Sequence, residues 1–280
     1  MSKLIWITGA SGYLGKHLYS FLSKSTNVVV PIAGRNGGFE DFGDLNDYNF
    51  ILALLEKYGT PDVVIHCAGN KSISELEKNW KLAKCTNVGM ALKLFNSLPL
   101  STQFIFMSTD YVFNGEVGGY SESDKPKPNT LYGFSKYLTE RYLRKFKNVA
   151  IIRTSAVYNI EAAFPDMLIQ KFKSNEVVSC FSDLFYSPVY LPCFLNGVNS
   201  IINKDLNGVI HLTGECTSRY NFAWELAVSF GFDSKLIQPE LKNKDGMITD
   251  LSLNSSHSWA RLDIQYPTLR ECLQHMRQSQ

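Results

Sequence analysis

Apolar residues in this chain come in short, unbroken, β-branched runs, with helix-like stretches between them. Leu4–Thr8, Val28–Ala33, Asp62–Cys67, Gln103–Ser108 and Val149–Arg153 each read as a strand. A strand that is apolar at nearly every position has no face to leave in water, so each must be covered on both sides. Helical spacing fills the intervals at about 13–24, 47–58, 77–98 and 131–146. Strands of this kind separated by helices predict an α/β fold, a doubly wound parallel sheet of the Rossmann type. From about residue 156 the alternation weakens. Helix-like pieces at 164–174, 221–231 and 267–277 mix with short strands such as Gly208–Leu212. The expected organisation is a Rossmann domain over 1–158 and a smaller, interleaved lobe over 159–280. Segments at about 176–192 and 208–214 are expected to return to the Rossmann unit.

Composition narrows the function classes. The 280 residues suffice for a full core, and 28 basic residues nearly balance 26 acidic ones. No basic run supports binding to nucleic acid or to a membrane surface. No apolar stretch approaches the ~20 residues of a membrane helix. The start, Met1 to Ile7, runs straight into glycines without a signal-peptide cleavage region. Six cysteines are scattered without a Cys-x-x-Cys pair, which suggests a reducing, cytoplasmic setting. The five histidines are scattered too, and no acidic cluster accompanies them, so no metal is expected.

The first strand leads directly into Thr8-Gly9-Ala10-Ser11-Gly12-Tyr13-Leu14-Gly15, which opens a helix. Small residues at a strand-to-helix junction let the backbone approach a pyrophosphate, and the helix N-terminus favours its charge. Gly9, Ser11, Gly12, Tyr13, Leu14 and Gly15 are thus candidate cofactor-binding residues. The spacing is Gly-x-x-Gly-x-x-Gly rather than Gly-x-Gly-x-x-Gly. About 20 residues past the last glycine, NAD proteins place an acid on the ribose 2′-hydroxyl. This chain has Arg35 there, and a guanidinium suits a 2′-phosphate through paired hydrogen bonds. The expected cofactor is NADP(H), with NAD(H) the alternative. Glu40 and Asp41 follow closely and offer competing carboxylates.

Tyr132 and Lys136 supply the candidate chemistry. On a helix, residues four apart share a face, about 5–6 Å apart at Cβ. A free phenol titrates near pH ~10, and an ammonium beside it stabilises the phenolate left after proton donation. The pair suits protonation of an oxyanion, such as one formed when a ketone accepts hydride. A hydroxyl at the carboxyl end of a parallel strand can reach the same oxygen. Ser108 and Thr109 both qualify, after Gln103-Phe104-Ile105-Phe106-Met107. Asp110 reads as a brace for the loop. Asn87 has two readings: it holds a water or the Lys136 amine, or it packs its helix.

These pieces, in this order, resemble the extended short-chain dehydrogenase/reductases, and more narrowly the dTDP-4-dehydrorhamnose reductase family. The resemblance rests on TGASGYLG (8–15), Gly43-Asp44-Leu45, HCAG (66–69), STDYVFNG (108–115), and the run from Glu122 through Tyr132-Gly133 and Ser135-Lys136. RTSAVY (153–158) and GVIHLTG (208–214) follow. It covers most of 1–158 and thins afterwards. The resemblance implies Thr109, Tyr132 and Lys136 as the catalytic triad, with Ser108 in support. It places Asp44 and Leu45 near an adenine, and it adds Ala68, Gly69, Asn87, Tyr132 and Lys136 to the cofactor site. It makes 1–158 an NADP-binding domain and 159–280 mainly a substrate lobe. The implied reaction is hydride transfer from NADPH to the keto carbon of a nucleotide-linked 4-keto-6-deoxy sugar. Family members often carry a Trp where this chain has Ala156, so the sugar is left open. Ser187-Pro188 and Arg219-Tyr220 are candidate substrate-side residues. A homodimer also stays open.

Two other readings compete: epimerisation of a nucleotide sugar on the same triad, and a non-catalytic NADP-binding subunit like the regulatory subunit of methionine adenosyltransferase. The cofactor expectation is directly testable. KM for NADPH should lie below KM for NADH, and Arg35→Ala should selectively raise the NADPH value. Steady-state kinetics with both dinucleotides would overturn the assignment if NADH gave an equal or lower KM.

Overall fold

The computed structural model describes residues 2–34, 37–242 and 249–279. Arg35 lies outside the described residues. The chain divides into two compact units, each assembled from three segments. The first comprises Met1–Val112, Pro126–Arg153 and Val198–Ile210, and the second comprises Phe113–Lys125, Thr154–Gly197 and His211–Gln280.

The first unit is the expected α/β sheet. Its strands are β1 (Leu4–Thr8), β2 (Val28–Ile32), β3 (Val63–His66), β4 (Gln103–Thr109) and β5 (Val149–Thr154), joined by the strand Gly208–His211. From one edge to the other the order is Gly208–His211, β5, β4, β3, β1, β2. β1 pairs in parallel with β2 and β3, and β3 pairs in parallel with β4. Every residue of β3, β4 and β5 is buried, which explains why these strands carry no polar alternation. The strands that follow β1 lie on opposite sides of it. The crevice between the carboxyl ends of β1 and β3 is therefore the switch point where such sheets bind ligands.

Helices cover the sheet. α1 (Tyr13–Leu22) follows the glycine turn, and α2 (Tyr48–Tyr58) starts at Asp47, whose side chain accepts from the Asn49 N–H at 3.0 Å. The single helix expected over 77–98 is built otherwise. Short turns α3 (Ile73–Leu76) and α4 (Trp80–Ala83) lead into a wide π-helical segment, Lys84–Gly89, and then α5 (Met90–Asn96). Asn79 makes the break, capping the Leu82 N–H at 3.0 Å. α6 (Leu131–Leu143) is capped by the Thr130 hydroxyl, which accepts from Gly133 N–H at 3.0 Å. Trp6, Val64, Phe104 and Ile151 of the sheet pack with Ile51 and Leu54 of α2 and Leu94 and Phe95 of α5.

The second unit has its own core. Leu168, Phe172, Phe222, Leu226, Leu273 and Met276 come from its helices Ala163–Lys173, Arg219–Phe230 and Leu269–Gln278. Of the segments expected to return to the first unit, 176–192 belongs instead to the second. Its strand Val178–Phe181 pairs with Ile237–Glu240, and Leu184–Tyr186 pairs with Thr217–Ser218 and Thr249–Asp250. Residues 198–210 make the return, with Gly208–His211 as sheet strand. Residues 113–125, inside the expected first domain, belong to the second unit. No helix of the described residues is long and apolar enough to cross a membrane.

One ion pair ties the first unit together. Glu140 of α6 and Arg153 of β5 have no solvent exposure and meet through two bonds, Nε to Oε1 at 3.0 Å and Nη2 to Oε2 at 2.8 Å. The Ser108 hydroxyl of β4 donates to Glu140 Oε1 at 2.5 Å. Removing one partner of such a pair strands the other charge, a cost of about 3–5 kcal/mol. Arg153→Met should therefore destabilise the protein by about that much in urea unfolding, and pairing it with Glu140→Leu should recover a large part of the loss. Additive losses in the double variant would refute this account.

Candidate active site

The candidate residues of the first unit gather along the carboxyl ends of β1, β3 and β4. The glycine turn begins at Gly9, whose φ of +68° few side chains adopt. A Cβ there would also sit 2.7 Å from the Ala68 nitrogen, so the turn after β1 packs directly on the loop after β3. The Gly12 N–H donates to Gly9 O at 2.9 Å, and Gly12 then serves as N-cap of α1. Ser11, Tyr13, Leu14 and Gly15 complete the turn and the first helical residues. The cap makes no side-chain hydrogen bond, and no acid lies in the first helical turn. Such an end is suited to an anion.

Beside it lies a cleft of about 190 Å³, lined by Gly9, Ala33, Asp44, Leu45, Ala68, Thr86 and Met90 among others. Small and apolar groups on its walls suit a flat aromatic ring. The Asp44 carboxylate accepts from the Asn46 backbone N–H and side-chain amide at 2.9 and 3.0 Å, which fixes its orientation at the cleft wall. Sequence reasoning had named Gly9, Asp44, Leu45 and Ala68 here. It missed Thr86 and Met90, whose spacing of four on a helix after β3 was the available signal.

At the other end stand Thr109, Tyr132 and Lys136. Thr109 is the last residue of β4, and its hydroxyl donates to Asp110 Oδ1 at 2.9 Å. Asp110 is buried and opens the short 3₁₀ turn Asp110–Val112, as a brace would. That turn approaches α6 so closely that a Cβ on Gly133 would lie 1.9 Å from Tyr111 O. Tyr111 and Tyr132 meet edge to face, with centroids 5.9 Å apart. Desolvation pushes the Tyr132 phenol up to about 12, partly offset by a hydrogen bond with Thr109. Of the two hydroxyls offered by the sequence, Ser108 is committed to Glu140, and Thr109 is the one that touches Tyr132.

Lys136 is buried, donates to Met107 O at 3.0 Å, and lies 4.9 Å above the Phe106 ring. Burial lowers its ammonium to about 8, against the opposing pull of Cys67 and Glu140. His66, beneath it, is held neutral, burial taking it down to about 3 with help from the Lys136 charge. Its Nδ1 lies 2.9 Å from the Thr8 hydroxyl.

Asn87 does not hold the Lys136 amine. Its Oδ1 accepts from Asn70 N–H at 2.7 Å, while its Nδ2 donates to Asn70 O and to Ser135 Oγ, both at 3.0 Å. It clamps the Gly69–Asn70 loop to α6, with Gly69 lying against Asn87 and Lys136.

The RmlD substrate binding domain family matches residues 2–276. This chain belongs to that family. The dTDP-4-dehydrorhamnose reductase of Aggregatibacter actinomycetemcomitans is 28% identical over 87% of this chain and 82% of its own length. The methionine adenosyltransferase 2 subunit beta of Danio rerio is 25% identical over 94% of this chain and 84% of its own. The crystal structure of dTDP-4-dehydrorhamnose reductase from Bacillus anthracis in complex with NADP superposes with a TM-score of 0.86 at 25% identity, each chain covered in full. The family falls among the NAD(P)-dependent oxidoreductases of the short-chain dehydrogenase/reductase type, which accords with the sheet order and the glycine turn. The uncapped α1 terminus suits the pyrophosphate of such a dinucleotide, and the cleft suits a flat base.

In the second unit Ser187 is fully buried, its hydroxyl accepting from Leu253 N–H at 3.1 Å, so it faces the interior. Arg219 stacks on the Tyr186 and Phe164 rings at 4.0 and 4.8 Å. Ala156 is exposed. Among the described residues no group of His, Cys, Asp or Glu converges on a metal position.

Proposed function

We propose that this protein reduces the keto group of a nucleotide-activated sugar of the 4-keto-6-deoxy type, with Tyr132 as general acid. The observation that carries the reading is the assembly of Thr109, Tyr132 and Lys136 at the carboxyl end of β4, a catalytic set without substitution. Bound NADPH would supply the hydride. Gly9, Ser11, Gly12 and the first residues of α1 would hold its pyrophosphate, and Asp44, Leu45, Ala68 and Met90 its adenine. Arg35 would take the 2′-phosphate. Gly69, Tyr132 and Lys136 would hold the ribose at the reacting end, and Asn87 would keep Gly69 in place.

The protein's own part is proton management. Thr109 and Tyr132 present two hydroxyls to one substrate oxygen. Tyr132 stays protonated through the neutral range and gives its proton to that oxygen as negative charge develops there. The buried Lys136 ammonium then stabilises the phenolate, which water would otherwise have to solvate.

A second reading draws support from the methionine adenosyltransferase relatives, which are regulatory in the family resemblance and cover most of this chain. It predicts dinucleotide binding without turnover. The complete triad weighs towards the reductase.

Two measurements test the proposal. Oxidation of NADPH in the presence of nucleotide-4-keto-6-deoxy sugars should be seen as falling absorbance. Tyr132→Phe should lower kcat by about 10²- to 10⁴-fold, the range of a lost general acid. Tight NADP(H) binding with no turnover on any such sugar would instead favour the regulatory reading. The pH profile is also determined. Reduction needs Tyr132 protonated and Lys136 charged. With Tyr132 near 12 and Lys136 near 8, Lys136 titrates first, so kcat/KM should fall as pH rises through about 8. A profile flat from pH 7 to pH 10 would remove Lys136 from this role.

A further inference from the structure

Three carboxylates follow β2 within ten residues of the cleft wall: Glu40, Asp41 and Asp44. This is the stretch where a carboxylate can take the ribose 2′-hydroxyl of NAD. Asp44 is turned to Asn46. Glu40 is exposed. Asp41 is held by the backbone at the lip of the cleft. Its carbonyl accepts from Ala33 N–H at 2.9 Å, and Gly43 N–H donates back to Ala33 O at 3.2 Å. Ala33 and Gly43 both line the cleft. Asp41 is thus joined through its backbone to the cleft wall, while its side chain is engaged elsewhere.

The engagement comes from the last turn of α2. Lys57 Nζ donates to Asp41 Oδ1 at 2.9 Å, and the Tyr58 hydroxyl donates to Asp41 Oδ2 in a short hydrogen bond. The Lys57 ammonium also lies 4.8 Å above the Tyr58 ring. Both oxygens of Asp41 have a donor, and its charge is matched by an ammonium. The side chain of Asp41 is only 13% exposed.

We propose that Lys57 and Tyr58 determine dinucleotide specificity: by holding Asp41 against α2 they take away the carboxylate that would favour NADH and repel a 2′-phosphate. The inference rests on the reading of this site as a dinucleotide site. It extends that reading to residues that touch no ligand, which makes Lys57 and Tyr58 positioning residues.

The test is equilibrium binding of NADPH and NADH to the full chain, followed by nucleotide fluorescence, so that no sugar substrate is needed. In the Lys57→Met/Tyr58→Phe variant the freed carboxylate should weaken NADPH by roughly two- to fivefold, the size of one surface charge interaction, and leave NADH unchanged or tighter. Asp41→Asn added to that variant should restore the NADPH value. Asp41→Asn alone removes the carboxylate and leaves the Lys57 ammonium unpaired, so it should not weaken NADPH relative to NADH. Equal losses for both dinucleotides, an unchanged ratio in the double variant, or failure of Asp41→Asn to restore NADPH would each overturn the proposal. Binding of neither dinucleotide by the wild-type protein would refute the underlying site reading, a result distinct from any of these.

Discussion

Glu140 is a carboxylate with no access to water, and the geometry of the candidate active site depends on how it is neutralised. Its oxygens take two bonds from Arg153 and one from Ser108. These three residues stand on α6, β5 and β4, so the pair fixes a helix against two neighbouring strands of the sheet. Ion pairs of this sort add little net stability compared with a well-packed apolar replacement. Their value is directional, because a buried charge tolerates only the geometry that satisfies it. Here that geometry sets the rotation and height of α6, one turn below Lys136 and two below Tyr132. The Thr109 hydroxyl lies one residue beyond Ser108 on the same strand, so one constraint bears on the placement of Thr109, Tyr132 and Lys136 alike.

The environment of the pair then pushes Tyr132 and Lys136 apart in acidity. Loss of water destabilises the charged form of each, raising the phenol and lowering the ammonium. At neutral pH the result is a protonated phenol beside an ammonium that keeps its charge only narrowly. His66 helps by staying uncharged under Lys136, where a second cation would lower the amine further. Met107 O and the Phe106 face act in the other direction, giving the ammonium an acceptor and a negative surface. The proposed proton transfer would rest on this balance more than on the mere closeness of two side chains.

Much of this was readable from residues alone, for a physical reason in each case. Strands buried on both faces have to be apolar throughout, so β1 and β3–β5 announce themselves. The glycine turn is legible because only glycine fits at Gly9, and Tyr132 and Lys136 because four residues make one helical turn. Residue chemistry alone left Ser108 and Thr109 open, and only the family resemblance implied Thr109: successive residues of a strand alternate in direction, and letters do not say which one points at the helix. Glu140 was hidden because a charged residue four positions after a lysine reads as a solvated helix face. The strand Gly208–His211 falls in a segment expected to return to the first unit, whereas the return of residues 198–207 before it was hidden.

The π-helical segment resists sequence reading most and explains how one stretch of chain serves both ends of the site. Cys85 and Thr86 line the cleft, as does Met90, while Asn87 turns inward to the Asn70 backbone and Ser135. Thr86 and Asn87 are adjacent, so a wall of the cleft and the clamp on Gly69 are set by neighbouring residues. The wider turn changes the phase between the helix before it and α5 after it. Met90 lines the cleft, and the Asn87 side chain stays bonded to Asn70 and Ser135. Neighbouring residues of the irregular segment thus serve both the cleft wall and the loop that packs on α6.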